Sequence, residues 1–336
     1  MHEKLNGLRN GLRGIAPGLM IAICVALAAQ FLSEHYGVPA MLMALLLGMT
    51  LAFLSETGRC VEGIGFSARF LLRLGVALLG ARISVSALVE LGAGLVVLVV
   101  LAVVCTILFG ILIARIMGRG WRFGVLTGGA VAICGASAAM ALAAVLPRNE
   151  KSELNLTFTV LGVTLLSTLT MIAYPILAGW LNFDDFTAGF FLGGTIHDVA
   201  QVVGAGYSVS ETAGDTATLV KLIRVAMLAP VVVTLVALTN RHDGKVGSGA
   251  SKIALVPPFL IGFIAIAGLN SLGLLPGPVV AVANDLSRWL LLIAIAAVGM
   301  KTSLKTVLEI GPQAIMLLVL ETAFIACFVV MGLYLL

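Results

Sequence analysis

Apolar stretches of roughly 20 residues, the length that crosses the hydrocarbon core of a bilayer, follow one another along nearly the whole chain. Few folds accommodate such a pattern. Only 11% of the residues are charged and 60% are hydrophobic. An ordinary soluble domain carries about 25% charged residues, so polar side chains here are too few to clothe a water-soluble surface. The strands of a membrane β-barrel would be short and alternating; these runs are long and do not alternate. The sequence predicts an all-α, polytopic membrane protein. Its 38 glycines suit helices packed backbone to backbone in lipid.

The apolar runs divide into eleven expected spans, at about 15–34, 38–55, 66–87, 92–116, 121–146, 153–181, 186–207, 215–239, 253–273, 279–300 and 309–335. The first resembles a signal peptide, with Lys4, Arg9 and Arg13 ahead of it and Ala26-Leu27-Ala28 at its end. It continues through Phe31-Leu32, however, and reads as an uncleaved span. The net charge of +4 orients the chain rather than binding nucleic acid. Lys4, Arg9 and Arg13, then Arg59 and Arg69, Arg115, Arg119 and Arg122, Arg241, Lys245 and Lys252, and Lys301 and Lys305 all fall on one side, which is the cytoplasmic one. The N-terminus is then inside and the C-terminus outside. One loop runs against the pattern: Pro147-Arg148-Asn149-Glu150-Lys151 would be external. The cysteines, Cys24, Cys60, Cys105, Cys134 and Cys327, show no paired spacing, which argues against a disulfide framework or a metal site.

An internal repeat is legible. Residues 69–92 align with 288–311 at an offset of 219, with identities at Arg69/Arg288, Leu71/Leu290, Leu72/Leu291, Ala77/Ala296, Gly80/Gly299, Ser84/Ser303, Glu90/Glu309 and Gly92/Gly311. Pro39 falls on Pro258 at the same offset. The copies are the third and tenth spans, so they run in opposite directions, as inverted repeats do in secondary transporters. A weaker pair, 121–137 and 186–202, shares Gly124/Gly189 and a Gly-Gly step, Gly128-Gly129 and Gly193-Gly194. Being fifth and seventh, these would run in the same direction, which conflicts with the first pair.

A Gly-Gly step in mid-span weakens a helix, by about 1 kcal/mol per Gly relative to Ala. Unwound backbone in the membrane is tolerated where it lines a cavity, and the helix N-termini it creates suit anions. Two broken helices near the midplane are therefore expected. Gly128, Gly129, Cys134, Gly135 and Ser137, with Thr127, lie in one; Gly193, Gly194, Thr195, His197, Asp198 and Gln201 lie in the other. Ionisable groups inside a bilayer are expensive and usually functional, which points to His197 and Asp198 as proton or cation carriers. Lys221 and Arg224, three residues apart, share a helix face and call for anions: Asp198, Glu211, Asp215 or an anionic substrate. Glu321 in mid-span suits pairing and coupling equally. Arg82 suits an interfacial anchor, and Asn155 and Thr157 suit the cavity and a helix start equally; the role of Arg73 stays open.

The segments LLRLGVALLGARISVSAL, AICGASAAMA, GGTIHDVAQVVGAGY and TLVKLIRVAMLAPVV resemble the YeiH-type sulfate exporter family of bacterial inner-membrane proteins. The likeness runs from about residue 15 to the C-terminus, and the CGAS and HDVAQV segments are its specific parts. More distantly, TGGAVAICGASAAMALA is similar to the broken helix of bile acid sodium symporters, a likeness that extends to sodium/proton antiporters. That kinship implies one membrane domain over 1–336, with 15–117 and 253–336 as a panel and 121–239 as a core. Ala136-Ser137 departs from the symporters' Ser-Asn, which puts a sodium site in doubt.

The reading is a secondary transporter, not an enzyme, in the bacterial inner membrane. It moves a small anion, sulfate or a related sulfur oxyanion, coupled to a proton or sodium by alternating access, without a cofactor or resident metal. In this reading Gly128, Gly129, Cys134, Gly135, Ser137, Gly193, Gly194, Thr195, Gln201, Lys221 and Arg224 bind substrate, and His197 and Asp198 carry the coupling ion. A homodimer stays open. The rivals are a sodium/proton antiporter on the same fold, with Asp198 as cation site, and a remote third: an intramembrane hydrolase using Ser137, His197 and Asp198.

Overall fold

The computed structural model describes residues 2–82, 85–147, 149–243, 257–302 and 312–336. Arg148, Lys245, Lys252 and Lys305 lie outside them, as do Ser84, Ser303, Glu309 and Gly311 of the repeat. The described residues form helices: α1 (His2–Tyr36), α2 (Ala40–Thr50), α3 (Val61–Phe66), α4 (Leu72–Leu78), α5 (Val85–Ile116), α6 (Trp121–Ala132), α7 (Ala136–Val145), α8 (Ser152–Trp180), α9 (Asp185–Thr195), α10 (Val199–Val209), α11 (Glu211–Ala226), α12 (Leu228–Asp243), α13 (Pro258–Ser271), α14 (Gly277–Lys301) and α15 (Pro312–Leu335). Among the described residues, seven stretches are long and apolar enough to cross a membrane, including Val61–Ala81, which joins α3 and α4 through a π turn at Ser67–Leu71, and Glu211–Leu238 across α11 and α12. Eleven such spans are not reached by that measure. An 11-residue helix such as α2 is only about 16 Å long, against about 30 Å of hydrocarbon.

The outer faces are lipid-like. On α5, Val97, Leu101, Val104, Leu108, Leu112 and Ile116 are exposed at helical spacing, while Leu98, Val99, Ala102, Val103, Thr106 and Ala114 are buried. A soluble helix would carry polar groups on the exposed stripe; this one keeps apolar groups on both faces, which only a hydrocarbon solvent favours.

The chain forms two compact units. The first holds α1 to α4, most of α13, and α14; the second holds α5 to α12 and α15. The boundary differs from the expected division into 15–117 with 253–336 and 121–239. α5 and α15 belong with α6 to α11, because Gly110 of α5 packs on Gly124 of α6 and Thr127 of α6 bonds Glu321 of α15.

Within the first unit the repeat appears as exchanged contacts. A methyl group on Gly80 would stand 2.4 Å from the Phe263 carbonyl oxygen and 3.1 Å from the Ala267 nitrogen. On Gly299, the equivalent position, it would stand 2.3 Å from the Leu45 carbonyl oxygen and 3.2 Å from Gly48 Cα. Gly48 and Ala267 are themselves equivalent at the offset of 219. Each copy of the glycine thus lets its helix press on the short helix of the other copy.

The second unit corrects the expectation of two broken spans. α6 and α7 do not run on end to end. A methyl on Gly129 would stand 2.3 Å from Leu142 Cδ1, whereas a continuous helix would hold positions 129 and 142 about 20 Å apart. Gly189 of α9 and Gly206 of α10 both pack on the Ala213 carbonyl, although a continuous helix would separate them by about 25 Å. Both segments are helical hairpins that double back. They enter in opposite senses: α6 runs alongside α15 with Phe123 near Leu317 and Thr127 on Glu321, whereas α9 runs against it, with His197 on Thr322, Gly194 near Val329 and Phe183 near Tyr334. The two tips meet: a methyl on Gly135 would stand 3.7 Å from Asp198 Cβ and from the His197 carbonyl oxygen.

Candidate functional site

The turns fall after the Gly-Gly steps, not at them. Gly128-Gly129 and Gly193-Gly194 lie inside α6 and α9, and the turns are Ile133–Gly135 and Ile196–Asp198. The glycines serve close packing. A methyl on Gly193 would stand 2.4 Å from the Ala217 carbonyl oxygen, one on Gly128 3.1 Å from Ile107 Cα, and one on Gly194 3.3 Å from Val329. Gly189 on Ala213 and Gly193 on Ala217 form successive steps of contact between α9 and α11. The next turn of α11 carries Lys221, which therefore arrives at the tip. At the other tip the reversal is made by Gly135, with φ 63° and ψ −128°, a conformation open essentially to glycine alone.

Lys221 and Arg224 are fully buried among carbonyls. Lys221 Nζ donates to the carbonyl oxygens of Ile133 (2.8 Å), Ile196 (2.9 Å) and His197. Arg224 Nε donates to Ala132 (2.7 Å), Nη1 to Gly193 and Ile196 (2.9 Å each), and Nη2 to Val131 (2.7 Å). These carbonyls close α6 and α9, where a helix ends with acceptors that lack an intrahelical donor and a partial negative charge. In bulk lipid they would have no partner; here two cations satisfy both ends together. The acids expected to pair with them do other work in part: Asp215 Oδ1 accepts from Tyr207 Oη at 2.6 Å.

The opposite ends are the starts of the returning helices. α7 and α10 begin beside the meeting tips, and the first amides of a helix have no intrahelical acceptor. Asp198 Oδ1 accepts the Val199 amide at 2.8 Å, and the Asp198 amide donates to Ser167 Oγ at 2.9 Å. Beyond these, the amides of Ala136, Ser137, Ala200 and Gln201 open their helices. Gln201 is buried, 1% exposed, and neither Nε2 nor Oε1 of its side chain has a hydrogen-bond partner. A buried amide left unpaired is costly.

The remaining expected residues sort by partner. Thr195 closes α9, so its amide belongs to that helix, and its hydroxyl donates back to Phe191 at 2.6 Å. Ser137 Oγ donates toward the Cys134 carbonyl (3.0 Å) and Sγ (2.9 Å). His197 Nε2 meets Thr322 Oγ1 at 2.9 Å, and its Nδ1 has no partner. No hydrogen bond joins Ser137 to His197 among the described residues, so they do not form a nucleophile–base pair. Thr127 faces Glu321 rather than the tips. The Asn155 carbonyl accepts from Thr159 within α8 at 2.7 Å.

Sequence reasoning missed Ser167 and Thr322. Both are hydroxyl residues near the middle of long apolar helices, α8 and α15, and both bond the His197-Asp198 tip. Their mid-span position was the available signal, and it places the tips halfway along both helices.

A family model described as conserved hypothetical protein 698 matches residues 17–318. The UPF0324 membrane protein RB0971 of Rhizobium meliloti is 62% identical over 319 residues, covering 95% of this chain and 92% of its own. The UPF0324 membrane protein TauZ of Paracoccus denitrificans is 60% identical over 322 residues, 95% of each chain. A UPF0324 membrane protein of Caulobacter vibrioides is 37% identical over 319 residues, 95% of this chain and 68% of its own.

Proposed function

Because this chain belongs to the conserved hypothetical protein 698 family, the UPF0324 membrane proteins, we propose that it is a secondary active transporter of a small anion. Sulfate or a related sulfur oxyanion is the substrate class. One observation supports this reading: two helical hairpins meet tip to tip with their C-terminal ends bound by Lys221 and Arg224, and α7 and α10 begin beside the meeting tips. Helix N-termini converging at mid-depth favour an anion. An oxyanion accepts hydrogen bonds on every oxygen, which matches the amides of Ala136, Ser137, Ala200 and Gln201 and the side-chain Nε2 of Gln201. His197 and Asp198, at the same tip, would carry a coupling proton.

Read as re-entrant, the hairpins would also remove the direction conflict between the repeats. Taking α2 and α13, which fall short of the hydrocarbon thickness, as crossings beside the seven long stretches gives nine (α1, α2, α3–α4, α5, α8, α11–α12, α13, α14, α15) and two hairpins; one crossing then separates the hairpins, and they enter from opposite sides. The repeat of α3–α4 and α14 stays inverted. The segment 147–151 now returns to the side of Arg119 and Arg122, so Arg148 and Lys151 join the cytoplasmic set and the exception to the charge rule disappears. The N-terminus is inside and the C-terminus outside.

A cation carrier on this fold would need a carbonyl cage. The carbonyls of Ile133, Ile196 and His197 would make one, but the Lys221 ammonium fills it. This favours the anion reading and a proton over sodium as the coupling ion. The test is uptake of labelled sulfate, and of a panel of inorganic and organic anions, into proteoliposomes with and without a pH gradient. Uptake of none of them overturns the reading.

A further inference from the structure

Away from the tips, α15 carries a carboxyl group that the transport reading leaves unused. Glu321 is fully buried. Its Oε1 lies 2.7 Å from Thr127 Oγ1, and its Oε2 has no hydrogen-bond partner. It forms no ion pair among the described residues. The elements around it carry few titratable side chains: Glu90, Cys105 and Arg115 on α5, Arg122 on α6, Glu153 and Tyr174 on α8, and Asp185 on α9. Arg115 and Arg122 each lie five residues, more than a turn, from Gly110 and Thr127, the positions that meet the carboxyl.

Counting hydrogens decides the state of this group. Thr127 Oγ1 also lies 3.0 Å from the Phe123 carbonyl oxygen, and a threonine hydroxyl has one hydrogen to give. When that hydrogen goes to Phe123, the 2.7 Å contact with Glu321 requires a hydrogen on the carboxyl. When it goes to Glu321, an ionised carboxylate sits in a dry site with one hydrogen bond, one bare oxygen and no counter-ion among the described residues, an arrangement that proteins avoid by neutralising the group. Both routes favour the neutral acid.

The notch is built for the carboxyl. A methyl group on Gly110 would stand 2.4 Å from Glu321 Oε1, 2.8 Å from the Gly124 carbonyl oxygen and 3.1 Å from Gly128 Cα. The next residue along, Thr322, bonds His197 at the hairpin tip. A displacement of the tip would therefore act on the helix turn that holds Glu321.

We propose that Glu321 is a proton-binding site inside the membrane, occupied in this conformation and exchanging its proton with solvent. Its use as a coupling site rests on the carrier reading above; its protonation does not. Infrared difference spectra of the purified full-length protein at neutral pH, without substrate, test it. Wild type is expected to show a neutral carboxylic-acid carbonyl band that Glu321→Gln removes, that Thr127→Val shifts, and that moves on transfer to deuterated water. Loss of carboxylate bands in Glu321→Gln, with no neutral carbonyl band lost, would overturn the proposal by showing an ionised group. A band that stays fixed in deuterated water would overturn it by showing a sealed structural group. In proteoliposomes that move sulfate, Glu321→Gln is expected to weaken acceleration by a pH gradient, because His197 and Asp198 remain, while retaining sulfate counterflow; unchanged acceleration would overturn the coupling role. Absence of sulfate flux in wild type would sink the carrier reading, while the infrared band would still decide whether Glu321 holds a proton.

Discussion

Lys221 on α11 and Ile133 at the tip of the first hairpin, 88 positions apart, are joined by a 2.8 Å hydrogen bond from ammonium to carbonyl. The same ammonium reaches Ile196 and His197 at the tip of the second hairpin. One side chain thus ties two re-entrant tips, and Arg224 repeats the tie one turn on, between Val131-Ala132 and Gly193-Ile196.

Arg224→Met is expected to destabilise more than Lys221→Met. Loss of the guanidinium leaves Val131, Ala132 and Gly193 without their donor, whereas loss of the ammonium leaves Ile133 and His197, since Arg224 still serves Ile196. Each unpaired buried carbonyl costs about 1–3 kcal/mol. Thermal unfolding in detergent should rank wild type above Lys221→Met above Arg224→Met; the reverse order would contradict the tie.

The two tips are expected to fail for different reasons. At Gly135 an added methyl has room, 3.7 Å from its nearest neighbours, so Gly135→Ala is penalised by backbone strain alone, about 1–3 kcal/mol. At Gly193 the backbone is ordinary helix, but the methyl meets the Ala217 carbonyl oxygen at 2.4 Å and would lift α9 from α11. Gly193→Ala should therefore lower both the unfolding temperature and sulfate flux, by drawing Ile196 and His197 away from Lys221. A Gly193→Ala protein as stable and active as wild type would refute close packing as the reason for the glycine.

Gly80→Ala and Gly299→Ala are expected to cost similar amounts. Each places a methyl within 2.3–2.4 Å of a carbonyl oxygen on the short helix of the other repeat. Comparable drops in unfolding temperature follow from exchanged contacts. A large drop from one and none from the other would argue that the offset of 219 is sequence coincidence.

The hairpin reading has a topological test. In a background without Cys24, Cys60, Cys105, Cys134 and Cys327, Arg119→Cys and Lys151→Cys are expected to react with a membrane-impermeant thiol reagent from the same side of oriented vesicles. Asp184→Cys should react from the other. Labelling of Arg119→Cys and Lys151→Cys from opposite sides would restore a continuous span between them.

Much of this was legible in the sequence. Hydropathy reveals the membrane class, because a lipid-facing stripe such as Val97 to Ile116 on α5 has no polar alternative. The repeat was legible through Gly80 and Gly299, since close helix contact restricts the residue type. The reversals were not legible: a hairpin of two 10- to 12-residue helices has the hydropathy of one span, and what distinguishes them is the Gly129–Leu142 contact. The partners of Lys221 and Arg224 were hidden for another reason. They are backbone carbonyls, which every residue carries and no residue type announces. The Glu321–Thr127 contact spans 194 positions and needs the fold to be seen.

The central claim is that the meeting tips hold an oxyanion. Crystals of the protein soaked in selenate, a heavier analogue of sulfate, test it most directly through anomalous scattering. The expected result is a peak within hydrogen-bond reach of the Ser137 amide and the Gln201 side chain, lost in Gln201→Leu. Specific selenate peaks elsewhere, with none between Gly135 and Gln201, would contradict it.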